Sequence, residues 1–140
     1  MSVAGNQSTT AQTARGGPVE FSTANKVGFV LAILLGILDM VSVANPTPEG
    51  EVGPPLPILA FGALLGLVTV IAVAVGWVRR NRAAIRAGAA ARILSALLAL
   101  PAFAAPDVPA FLKALAAIFI LVTIVTLVLM LSPGRRTTAP

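Results

Sequence analysis

Four apolar stretches, at residues 27–44, 56–78, 87–105 and 110–131, alternate with segments rich in proline, arginine and small polar residues. Each stretch is near the ~20 residues that a helix needs to cross a hydrocarbon layer about 30 Å thick. The pattern predicts an all-α membrane protein with four transmembrane helices. The bundle occupies residues 26–132, between tails at 1–25 and 133–140. The N-terminal tail, rich in Ser, Thr, Gln and Gly, reads as disordered.

The connections shape the bundle. The middle one, around Arg79-Arg80-Asn81-Arg82, is short, which makes the second and third helices antiparallel neighbours. The turn Pro106-Asp107-Val108-Pro109 does the same for the third and fourth. An up-down bundle, with the first and fourth helices closing the ring, is the simplest arrangement. Asp107 is expected to cap the fourth helix, with Pro109 in its first turn, where a missing N–H costs nothing. The segment 45–55 carries four prolines and reads as an extended connector. Pro101 frees the carbonyl of Leu97 and predicts a kink near Leu97–Leu100.

Charge orients the bundle. Arg15, Lys26, Arg79, Arg80, Arg82, Arg86, Arg135 and Arg136 fall on one side, whereas 45–55 and 106–109 hold only Glu49, Glu51 and Asp107. By the positive-inside rule both termini are cytoplasmic. In a bacterial plasma membrane the middle-loop arginines, with Arg135 and Arg136, meet anionic lipid headgroups. Trp77 beside them reads as an interfacial anchor. Signal-peptide cleavage after Ala44 would leave three spans, but a 26-residue leader and the Asn45-Pro46 junction argue against it.

Composition agrees. Charged residues make up 11% of the chain, against ~25% in soluble domains. The net charge of +5 lies at helix ends without interleaved aromatics, so nucleic acid is not an expected partner. The chain has no Cys, His or Tyr. That removes thiolate chemistry, imidazole ligation and every His-dependent triad. No cofactor, metal site or catalytic residue is expected, and neither is an enzyme.

Three ionisable residues lie inside the apolar stretches: Asp39, Arg92 and Lys113. On insertion scales a mid-helix charge costs ~2.5–3.5 kcal/mol, so each needs a partner or a route to water. Arg92 lies six residues, about 9 Å, beyond Arg86 and is expected to snorkel to the inner interface. Asp39 and Lys113 each lie about 9 Å below the outer boundary. If the first and fourth helices are adjacent, the two are expected to form an ion pair.

Small residues recur at four-residue spacing: Gly28, Ala32 and Gly36, then Gly62 and Gly66, then Ala87, Ala91, Ser95 and Ala99. Such faces let helix backbones approach closely, within one chain or between copies. Thr123 and Thr126 are expected to bond to their own helix backbone.

The stretch from Arg92-Ile93-Leu94-Ser95-Ala96-Leu97 to Leu100-Pro101-Ala102-Phe103, within this four-span layout, resembles small integral membrane proteins of high-GC actinobacteria with no assigned function. Span count and a first-helix carboxylate also resemble small multidrug exporters. Those, however, carry that carboxylate on an aromatic-rich helix, and the first span here has only Phe29. The expected role is an accessory or scaffold subunit acting through helix contacts, in a homo-oligomer or a larger membrane complex. The alternative is a small homo-oligomeric transporter or channel that uses Asp39.

Overall fold

The computed structural model describes residues 19–133. The expectations for Arg15, Arg135 and Arg136 lie outside the described residues. The described chain is all helical: α1 (Thr23–Ala44), α2 (Leu56–Val78), α3 (Arg82–Ala99), the single turn α4 (Pro101–Ala104) and α5 (Ala110–Leu131). Four segments, counting α3 and α4 as one, are long and apolar enough to cross a membrane.

Two helices start earlier than their apolar stretches, because polar caps lie upstream of them. α1 begins after Ser22, whose hydroxyl accepts from the Asn25 backbone N–H (3.2 Å) while Asn25 Oδ1 accepts from the Ser22 N–H (3.0 Å). This is a reciprocal capping box with Asn in the place usually held by Glu or Gln. α3 begins after Asn81, whose Oδ1 accepts from Ala83 N and Ala84 N. The α2–α3 turn is tight. Arg80 has φ 52, and the Asn81 N–H reaches back to the Gly76 carbonyl at 2.8 Å, closing α2 in the manner of a Schellman motif.

The break at Pro101 is as expected. α3 stops at Ala99, and the carbonyl of Leu97, deprived of the proline N–H, accepts from Leu100 N at 3.2 Å. The expected Asp107 cap is not formed: Pro109 is the N-cap residue of α5, with no side-chain bond, and its carbonyl accepts from Leu112 N and Lys113 N.

Neighbouring helices meet where side chains are smallest. A Cβ on Gly66 would lie 2.5 Å from the Gly36 carbonyl oxygen, and one on Gly36 would lie 2.7 Å from that of Gly66. The α1 and α2 backbones therefore touch, which no larger residue permits. Gly28 abuts α5, where a Cβ would lie 2.6 Å from Met130 N. Gly62, the other half of the expected α2 pair, is half-buried, and a Cβ built there would meet nothing within 4 Å. On α3 the buried residues are Ile85, Gly88, Ala89, Ala91, Arg92 and Ser95; of the expected small-residue series Ala91 and Ser95 are buried, Ala99 is half-buried and Ala87 is exposed.

Burial is uneven along the bundle. Among the described residues, fully buried positions stop at Gly36 in α1 and Ser95 in α3, and begin at Leu65 in α2 and Thr123 in α5. That half holds a core of Phe29, Ala32, Val73, Ile85, Ala89 and Met130. Trp77 is more than an anchor: its ring lies 5.6 Å from that of Phe29, which stands edge-on to Phe21 at 4.9 Å. Asn25 Nδ2 fastens this end by donating towards the carbonyls of Leu129, Met130 and Ser132 (3.0, 3.1 and 2.9 Å), which end α5 without helical partners. The other half, towards the 45–55 loop, is not filled.

Candidate functional site: a buried ion pair beneath an open crevice

The boundary between the two halves is polar. Arg92 projects from the inward face of α3 and is fully buried. Its Nη1 donates to Asp39 Oδ2 at 2.7 Å and its Nη2 donates to Ser95 Oγ at 3.2 Å. Ser95 Oγ in turn donates to the same Asp39 oxygen at 3.0 Å. The guanidinium carbon lies 5.3 Å from the centre of the Phe119 ring on α5, within cation–π range. Asp39, Arg92 and Ser95 thus form a closed triangle, and Phe119 lies against the cation.

This corrects two expectations. Asp39 pairs with Arg92 and not with Lys113, and Arg92 is not at the interface. The ion pair Asp39–Arg92 is the one formed among the described residues; Lys113 sits half-buried near the start of α5. The cause lies in the α1–α2 crossing. Close approach at Gly36 and Gly66 sets Asp39 directly over Gly66, where a Cβ would lie 2.8 Å from Asp39 Cβ. The missing side chain at 66 leaves the carboxylate room to turn inward. A short aspartate then needs a long partner from across the bundle, which Arg92 supplies. The signal was present in the sequence: Ile85, Gly88, Arg92 and Ser95 follow a 3-4-3 spacing that puts arginine and serine on one face with a small, packable residue.

Two buried polar atoms have no partner among the described residues, Arg92 Nε and Thr123 Oγ1. Thr126 bonds to the Val122 carbonyl of its own helix (2.7 Å), as expected, but Thr123 does not. Arg92 thus makes one hydrogen bond from each terminal nitrogen and is fully buried.

Asp39 is the member with an open side. Its side chain is 12% exposed, Oδ2 takes both hydrogen bonds, and Oδ1 has no partner among the described residues. The carboxylate lines a crevice of about 640 Å³ in the unfilled half, together with Leu38, Ile58, Gly62, Leu98 and Phe119. A second hollow of about 330 Å³, reaching Pro101 and Leu112, shares Pro54, Ile58 and Ala116 with it. The walls are hydrocarbon, and the polar groups among the lining residues are Asp39, Ser42 and Ser95. Ser42 Oγ already donates to the Leu38 carbonyl. The arrangement is thus an ion pair whose carboxylate residue lines an apolar recess, with one acceptor that has no partner among the described residues. No protein-family model, curated protein or solved structure compared with the chain matches it.

Proposed function

We propose that the chain is a multi-pass protein of the bacterial plasma membrane, an up-down four-helix bundle with both termini in the cytoplasm. In this reading it performs no catalysis and serves as an accessory or scaffold subunit through its helix faces. The observation that carries the role is the mutual neutralisation of Asp39 and Arg92 inside the bundle. A carrier needs a charge that can exchange partners, and here the guanidinium is enclosed and both bonded groups belong to the fold. Large apolar side chains such as Leu34, Phe61, Ile71, Phe111, Leu121 and Val128 face outward, available to lipid or to the helices of a partner. Arg79, Arg80, Arg82 and Arg86 cluster at the closed end, where anionic headgroups would meet them.

Native mass spectrometry of the protein, extracted gently from its own membrane, tests the role. Co-purification with a larger complex is expected; a bare homo-oligomer that moves protons or cations would refute it. Orientation is tested separately. The chain has no cysteine, so single cysteines at Glu49 and Arg80 can be labelled with a membrane-impermeant maleimide in whole cells. Labelling at 49 and not at 80 is expected, and the reverse would overturn the assigned topology.

The transporter reading is favoured by one feature: Asp39 lines the crevice, and its Oδ1 has no partner among the described residues. If it holds, Asp39→Asn abolishes solute movement at unchanged assembly.

A further inference from the structure

The crevice has one chemical demand. Its lining is mostly apolar, and it includes Asp39, whose side chain is 12% exposed and whose Oδ1 is an acceptor with no partner among the described residues. A bilayer acyl chain would fill the walls and offer that oxygen no donor. An ammonium compound would donate to Oδ1, but Asp39 is already neutralised by Arg92 at 2.7 Å. The added cation would then bring an uncompensated charge into a hydrocarbon recess. An anionic compound would meet the carboxylate directly, while the guanidinium that could attract it is wholly buried. What remains is a neutral donor on an apolar body.

We propose that the crevice between α1, α2, α3 and α5 is a binding site for a small apolar alcohol, which enters from the bilayer and donates its hydroxyl hydrogen to Asp39 Oδ1. The body packs on Leu38, Ile58, Leu98 and Phe119, and the 640 Å³ recess lies within the usual range for small-molecule sites, ~300–1,000 Å³. This goes beyond the accessory role and does not rest on it.

Gly62 provides the control. It lines the crevice, yet a Cβ there would meet nothing within 4 Å. Gly62→Leu therefore adds bulk at the crevice wall from a Cβ that meets nothing, and it replaces glycine with a better helix former. Ala116→Phe narrows the same space from α5.

The experiment uses the full chain in lipid nanodiscs and a diazirine-bearing octanol as the probe, with labelled peptides mapped by mass spectrometry. Saturable labelling at crevice residues is expected. Unlabelled 1-octanol should compete about tenfold or more better than its methyl ether, octylamine or octanoate. Gly62→Leu and Ala116→Phe should each cut labelling by about tenfold, with unchanged elution on gel filtration. Equal competition by the ether would show that no hydroxyl is recognised, and would overturn the proposal. So would labelling that fails to saturate, or that persists in both filled variants. The competitor series on the unmodified protein decides the question even if a variant fails to fold.

Discussion

Substitution of Asp39 alone should be far more damaging than removal of the whole ion pair. In Asp39→Leu the Arg92 guanidinium remains, fully buried, with Ser95 as its one hydrogen-bonding partner. Leaving one member of a buried pair uncompensated costs roughly 3–5 kcal/mol. Arg92→Leu should cost less, because Asp39 is partly open to the crevice and can turn its freed oxygen there. The double variant Asp39→Leu/Arg92→Leu removes both desolvation penalties and should return to within about 1–2 kcal/mol of the parent, since well-packed apolar replacements of buried pairs are often neutral. The assay is a double-mutant cycle from reversible unfolding in mixed detergent micelles, read by Trp77 fluorescence. The expected order is parent and double variant close together, Arg92→Leu below them, and Asp39→Leu lowest. A loss below about 0.5 kcal/mol in Asp39→Leu, or single losses that simply add in the double variant, would refute the account of the pair.

Other outcomes follow from the same geometry. Gly66→Ala should destabilise by about 1–3 kcal/mol, because its methyl meets the Gly36 carbonyl oxygen, whereas Gly62→Ala should be neutral or stabilising by up to ~1 kcal/mol; the same unfolding assay compares them. Asn25→Ala should lose about 1–2 kcal/mol and loosen the closed end, seen as faster amide hydrogen exchange at the end of α5. Thr123→Val should leave stability unchanged or raise it slightly, since the hydroxyl it removes has no partner. Arg80→Gly should stabilise by about 1 kcal/mol, as glycine takes φ 52 without the steric cost that arginine bears.

The helices were legible because the bilayer length is a strict ruler: the bounds of α2 and α5 coincide with those of their apolar stretches. α1 and α3 start outside theirs because capping depends on Ser22, Asn25 and Asn81, which hydropathy scores as merely polar. The ion pair was only half legible. Asp39 was expected to need a partner, but distance along a helix cannot say which way a side chain points around it. Depth made Lys113 the match and snorkelling the fate of Arg92. Angular position decides instead, and that requires the crossing at Gly36 and Gly66. The same limit explains Gly62, which has the right spacing from Gly66 and the wrong environment.

The division of the bundle gives the pair a further consequence. On the closed side, every helix contributes buried residues and glycine contacts hold the backbones together. Beyond Asp39 and Ser95 the helices enclose an unfilled recess, and Pro101 breaks the α3 hydrogen-bond ladder alongside it. The pair joins α1 to α3 across the diagonal, where the two helices otherwise have little direct contact. Together with the Ser95 bond to Asp39, it fastens α1 to α3 at the edge of the recess. Without Asp39, neither this pair nor the Ser95 hydrogen bond holds α1 to α3, and among the described residues no other side-chain hydrogen bond joins the two helices, so the recess is expected to collapse or widen with the surrounding lipid. A hydrophobic replacement can recover stability at this position, but a leucine pair slides where a 2.7 Å charge-assisted hydrogen bond does not. The double variant is thus expected to separate two properties: near-parental stability in the unfolding cycle, and loss of saturable octanol labelling in the crevice above it.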